Sequence, residues 1–298
     1  MSDRAAQPTI ARLLGRVAFA ASAADVDYVR TCGFAAHVER QLAWRSLDDS
    51  ALATDLARML PALDLDRAGL AAAAASGQRP EAEWRAATRA RRGASRCQLY
   101  EVMVEFWSRW FGLADGIDAM LHERDVVRPH ALGRYGDLLK ASARSAAMLT
   151  RDRHRWLGDL TGRYSRGNIG AGDAELAEAS RCFSGWTADP CSGGLRFVAA
   201  QHDYGAKIVL GVLLPAGGGI ADGDTLIDRL ATHPATARHV ATRLVRRFVG
   251  DEPHDLVDLT AIAFTASHGD IAATLRFVLG SARFYASVGL DAELAGRD

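Results

Sequence analysis

The sequence predicts a mainly α fold, a helical array with one small β-hairpin near residues 195–211. Three observations predict it. Apolar residues recur at i, i+3, i+4 and i+7 through most of the 298 positions. Capping residues, glycines and prolines punctuate these runs at helix-length intervals. Only one stretch carries short β-type apolar runs on either side of a polar turn.

A first helix is expected over Ile10–Phe19, and Ser22 caps a second that turns Val26 and Val29 inward and stops at Gly33. Phe34–Trp44 forms a third. Asp49 or Ser50 caps a fourth, ended by Pro61. Asp64–Arg79, with its five-alanine run, reads as a peripheral helix and loop poor in core residues. One long helix is expected over Pro80–Phe111, with Pro80 in its first turn and Leu99, Met103, Phe106, Trp107 and Trp110 on its apolar face. Ile117–Val127 and Tyr135–Leu149 are two more, separated by Arg128-Pro129-His130-Ala131-Leu132-Gly133. A polar, glycine-containing stretch runs from Arg151 to Gly172 before a helix from Asp173 to near Phe183. In the hairpin, Leu195-Phe197-Val198 and Ile208-Val209-Leu210 flank the turn His202-Asp203-Tyr204-Gly205. After a Gly-rich loop at Pro215, helices close the chain. Thr225–Ala231 is the first. The next carries the stripe Ala237, Val240, Ala241, Leu244, Val245 and Phe248, and Asp270 caps the last. No repeat or linker divides the chain, so residues 1–298 read as one helical domain, with an N-terminal half at 1–112 and a C-terminal half at 113–298.

Lys+Arg and Asp+Glu are both 36, so the net charge is zero and there is no overall attraction to nucleic acid or anionic lipid. The basic residues are almost all Arg, with lysine only at Lys140 and Lys207, in keeping with a GC-rich coding sequence. Cys32, Cys97, Cys182 and Cys191 form no C-x-x-C pair. Cys32 and Cys97 read as buried thiols, and Cys182 and Cys191 read as free thiols that could pair only in an oxidising compartment. No apolar run reaches membrane-spanning length. Arg4, Arg12 and Arg16 followed by the run at residues 17–24 imitate a signal peptide, but the charges at Arg12 and Arg16 interrupt the apolar segment and leave it too short, so a cytoplasmic location is the expectation.

Phosphate-loop, G-x-S-x-G, H-E-x-x-H and dinucleotide-binding motifs are all absent. The remaining candidates each have a structural alternative. His202 beside Asp203 can ligate a metal or act as a general base, or else Asp203 simply holds the turn backbone while His202 is half exposed. His233 precedes Pro234 where an N-cap belongs, so it is a third metal candidate or a cap. His239 on the same helix reads as solvated. Arg128-Pro129-His130 can hold an anion or a carboxylate, or close a loop. Trp186, in the turn Ser184-Gly185-Trp186-Thr187, is placed to line a groove. Arg238, Arg243, Arg246 and Arg247 make a basic helix face able to track phosphates, but Asp251 and Glu252 follow at once and no aromatics interleave.

Several ordered segments together resemble the bacterial "domain of unknown function 1800" family. They include Leu13-Leu14-Gly15-Arg16, Glu39-Arg40-Gln41-Leu42, Met103-Val104-Glu105-Phe106-Trp107, Arg128-Pro129-His130-Ala131-Leu132-Gly133 and Ser184-Gly185-Trp186-Thr187. Others are His202-Asp203 with Lys207, His233-Pro234-Ala235-Thr236-Ala237-Arg238, and Arg247-Phe248-Val249. The resemblance implies a large helical domain, frequent export, and a co-encoded protein partner from a second uncharacterised family, numbered 1501. It implies no activity, metal or other cofactor. The sequence departs from the family pattern at Arg155–Tyr164, where a segment rich in Asn, Glu, Arg and His is expected and only Asp159 stands for an acid.

The leading expectation is therefore a non-catalytic interaction or assembly protein, a divergent paralogue within its family. The alternative is a hydrolase-like enzyme, metal-dependent or not, that gathers His130, His202, Asp203 and His233 into one site, with Arg128, Trp186, Lys207 and Arg238 as binding groups. Nucleic-acid binding through the basic helix face ranks third.

Overall fold

The computed structural model describes residues 3–167 and 169–290. It is mainly helical, as the periodicity requires, with two small antiparallel two-stranded sheets. Helix α1 (Asp3–Val17) leads into α2 (Ala23–Leu42), where Ser22 and Asp25 form a capping box. The expected stop at Gly33 is a kink: its backbone (φ 85°, ψ 161°) breaks the helix and joins two expected helices end to end. Cys32 on this element is exposed, not buried.

Helices α3 (Ser50–Met59), α4 (Arg67–Ala75) and α5 (Pro80–Ala94) follow. With part of the next segment they build a satellite core of Leu56, Leu63, Leu70, Trp84 and Met120. The five-alanine region is thus less peripheral than expected, because Leu70 is completely buried. The expected long helix Pro80–Phe111 is broken, with α5 and α6 (Gln98–Phe111) separated at Ser95-Arg96-Cys97. A carboxylate from outside holds the break. Asp49 takes the Ser95 hydroxyl and the Arg96 N–H (2.8 Å), and Gln98 Nε2 satisfies the Ser95 carbonyl at 2.8 Å. Helical periodicity continues through such a break, so the pattern alone does not reveal it.

Helix α7 (Ile117–His122) runs on through a π-helical turn at Glu123–Val127 and a last turn at Arg128–His130. Arg128-Pro129-His130 is therefore helical, and the loop is shorter than expected. Tyr135–Leu149 is two helices, α8 (Tyr135–Ala143) and α9 (Ala146–Leu149), because Ser145 is extended (φ −81°, ψ 153°). The polar stretch after Arg151 folds into α10 (Arg153–Thr161) and a π-turn at Gly162–Arg166, followed by α11 (Asp173–Cys182).

The expected hairpin pairs differently. Strand β1 (Trp186–Ala188) pairs with β2 (Leu195–Phe197), and β3 (Lys207–Val209) with β4 (Val212–Leu214). The two expected hairpin arms thus belong to separate sheets. The β3–β4 turn is Leu210-Gly211, both at positive φ (49° and 73°), the backbone of a tight primed turn.

Helices α12 (Ile220–Thr232), α13 (Pro234–Val249), α14 (His254–Ala266), α15 (Ile271–Leu279) and α16 (Ala282–Ser287) complete the chain. The α13 stripe is buried as read, from Ala237 to Phe248, and is the spine of the main core. The closing helices are tied back to earlier parts of the chain. Tyr135 N–H donates to Gly269 O and Ile271 N–H to Gly133 O, both at 2.9 Å, and Arg276 grips Glu39 of α2 with two hydrogen bonds. Among the described residues no helix is long and apolar enough to cross a membrane.

Candidate functional site

Of the expected site residues, the fold brings His202 and Lys207 together, and it adds a partner that the sequence reading missed. Lys207 starts β3, and Asp222 lies in the first turn of α12. The Lys207 ammonium donates to Asp222 Oδ2 (2.7 Å), to Gly205 O (2.9 Å) and to Asp203 O. An ammonium has three protons, and all three are used. His202 Nε2 meets the same Asp222 oxygen at 3.1 Å, while its Nδ1 lies 2.8 Å from Ser184 O. Neither ring nitrogen is left for a metal or a substrate.

The cluster is closed to solvent. Lys207 is 1% exposed, and His202, expected to be half exposed, is also buried. Trp186 is enclosed as well. Expected in an exposed turn, it is instead the first residue of β1 and fully buried, because Gly223 on α12 lets the indole approach. A Cβ at that position would lie 2.6 Å from the ring. Trp186 therefore lines no groove.

Asp203 turns away from His202. It accepts from Arg181 Nε (2.8 Å) and from Gly205 N–H (2.8 Å), and these bonds hold its carboxyl at about 2. This matches the structural alternative, an aspartate that fixes its own turn.

His130 and His233 stand apart. None of the hydrogen bonds or ion pairs of His202 involves either residue. His130 ends the α7 segment near Asp137, with its pKa lowered mainly by burial. His233 is the N-cap of α13, its Nδ1 accepting from Ala235 N–H at 3.1 Å. Burial and then the nearby Arg166 lower its pKa. No group of three or more His, Cys, Asp or Glu side chains able to hold a metal occurs among the described residues. The metal set His202, Asp203 and His233 is therefore not assembled.

The binding candidates are engaged as well. Arg128 grips Glu101 with two hydrogen bonds (3.0 and 2.9 Å) and also meets Glu123 at 3.3 Å. On the basic helix face, Arg238 pairs with Asp258 and Arg246 with Glu252, while Arg243 lies 5.8 Å over Trp110. His239, expected to be solvated, packs on Trp110 (4.9 Å) and bonds Arg163 O.

One further pair was missed. His122 Nε2 lies 2.9 Å from Ser142 Oγ, both buried, and burial lowers the His122 pKa to about 4. Ser142 is too enclosed to meet a substrate. The four cysteines are separate thiols, with Cys182 buried and Cys191 exposed.

The sequence profile of the family described as "Protein of unknown function (DUF1800)" matches residues 12–150 and 168–294. The chain belongs to this family. No curated protein and no solved structure matches it. The DUF1800 profile leaves out residues 151–167, which contain the stretch that departs from the family pattern. In this chain that stretch is closed on itself. Arg151 donates to Asp159 (3.1 Å) and to the Tyr164 hydroxyl (2.8 Å), which in turn donates to Phe111 O at 2.8 Å. Asp159 is thus part of a structural network.

One signal for the Lys207 cluster was available in the sequence. In a chain that uses arginine almost throughout, a lysine marks a place where a compact ammonium with three radial donors fits and a planar fork does not.

Proposed function

We propose that this DUF1800 member is a non-catalytic interaction protein that assembles with another protein through its β3–β4 hairpin. The observation that carries this reading is the saturation of the Lys207–Asp222–His202 cluster. All three are buried, and their protons and ring nitrogens hold the hairpin to α12 with none left for chemistry. An enzyme built from His130, His202, Asp203 and His233 lacks the convergence it needs.

What the cluster anchors supports the assembly role. Ile208 and Leu213 are direct cross-strand partners on the outer face of the hairpin, 59% and 63% exposed. Lys207 and Val209 point inward and are buried. Strand alternation thus places an apolar pair outward on a pinned support, where a partner can cover it. The partner fitting the family resemblance is the co-encoded protein. Nucleic acid does not fit, because acidic neighbours answer the basic helix face.

Co-expression of the tagged chain with that co-encoded protein tests the reading. Wild type is expected to co-purify in a stoichiometric complex, and Ile208→Glu/Leu213→Glu to remain folded but lose it. Hydrolysis of an ester, phosphate or peptide substrate that disappears in a folded His202→Ala variant would overturn the proposal.

A further inference from the structure

A cavity of about 700 Å³ lies between the main core and the satellite core, far larger than a packing defect and within the range of small-molecule sites. Leu52, Leu56 and Leu63 form one wall. Trp44, stacked on Tyr100 at 4.1 Å between ring centroids, forms another.

Four arginines reach this space: Arg45, Arg91, Arg124 and Arg128. Three are accounted for. Arg128 is held by Glu101 and Glu123. Arg124 donates to Leu63 O and Leu65 O and pairs with Asp125. Arg45 is exposed and lies 4.5 Å over the Trp44 ring. Arg91 is different. Among the described residues its side chain makes no hydrogen bond or ion pair, and its Nη1 is buried without a partner. Its protein contact is the Trp84 ring, 5.6 Å from the guanidinium carbon. Burial and then the positive field of Arg128 lower its pKa, so the cation lacks a neighbour that favours it enough. The carboxylates whose charge favours it, Glu101 and Glu123, are held by Arg128, and the other acids of the cavity lining do not replace them. Asp49 is bound to Ser95 and Arg96, and Asp64 is exposed at the rim.

We propose that this cavity is a binding site for a small organic carboxylate with an apolar body. The carboxylate takes the planar fork of Arg91, the geometry in which guanidinium recognition is strongest, and the leucine and aromatic walls cover the body. Other anions fit less well. A polyanion would meet Asp49, Glu101 and Asp64 around the same space, and a bare inorganic anion would leave the apolar walls uncovered. This site is separate from the hairpin and does not depend on the assembly role.

The test is calorimetric titration of the full chain with octanoate and 3-phenylpropionate, beside their neutral amides. Both acids are expected to bind at least tenfold more tightly than the amides. Arg91→Gln is expected to reduce acid affinity to the level of the amides with no loss of melting temperature. Arg91→Lys, which keeps the charge without the fork, is expected to fall between and serves if the Gln variant misfolds. Equal binding of acids and amides, unchanged binding in Arg91→Gln, or no binding of any of the four probes would overturn the proposal.

Discussion

The Lys207–Asp222–His202 cluster and the Arg91 cavity both place charge inside the protein, and they do opposite things with it. In the cluster every ammonium proton and both imidazole nitrogens meet a protein atom, and solvent is excluded. In the cavity a guanidinium stands beside about 700 Å³ of space with a buried donor unpartnered. A tight set of His, Asp and Lys is not by itself a site. Saturation makes it a fastener, whereas an unanswered charge beside a cavity leaves something for a ligand to do.

The largest expected effect separates the two directly. Lys207→Met leaves the buried Asp222 with His202 alone and without its ammonium, and is expected to cost about 3–5 kcal/mol in urea unfolding. Lys207→Met/Asp222→Leu is expected to recover part of that loss, because no charge is left unpaired. A single variant as stable as wild type would dissolve the contrast.

His122 offers a third buried group and a pH signature. Its folded-state pKa is about 4 against the ordinary 6.5. Between those values the unfolded chain takes up a proton that the folded chain does not. The His122 contribution to stability is therefore level above pH 6.5 and falls as pH drops toward 4, by about 3 kcal/mol in total. In His122→Gln that portion of the slope is expected to vanish in urea melts at pH 7 and 4.5. An unchanged slope would place the proton uptake elsewhere.

The hairpin that the cluster anchors has its own weak point. Gly211 at φ 73° has no atom within 4 Å of where a Cβ would sit, so Gly211→Ala tests backbone strain alone, at about 1–2 kcal/mol. The smallest effect is expected at Arg91. Removing a half-buried cation without a partner leaves Arg91→Gln as stable as wild type or slightly more so, which thermal melts report. Arg128, closed by Glu101 and Glu123, is expected to behave in the opposite way: Arg128→Gln strands two carboxylates and lowers the melting temperature.

These two regions also differ in how legible they were in the sequence. The helical fold was readable because apolar spacing reports directly which face of a helix is buried. The α13 stripe and the Ser22, His233 and Asp270 caps follow from local chemistry. The breaks at Ser95 and Ser145 were not readable, since at Ser95 a remote carboxylate, Asp49, holds the chain out of helix. Strand pairing was misread because both arms of the expected hairpin found other partners nearby in sequence. In the candidate site, His202, Asp203 and Lys207 were visible as residue types. Their use depended on Asp222, 15 residues beyond Lys207 and inside a helix that was expected to begin later. Arg91 stands among Arg89, Arg92 and Arg96, a run whose spacing is that of any solvated basic helix face. Its isolation depends on Glu101 and Glu123 choosing Arg128, which no spacing rule states.

Whether the Lys207 cluster is a closed structural fastener can be read in one direct measurement. The chain has only two lysines, and Lys140 pairs with Asp228 at the surface. Brief acetylation of the native protein followed by peptide mass spectrometry reads both side chains at once. Lys140 is expected to be modified while Lys207 stays untouched until urea unfolds the chain. A Lys207 that reacts in the native protein as fast as Lys140 would contradict the claim and return the cluster to the list of reactive sites.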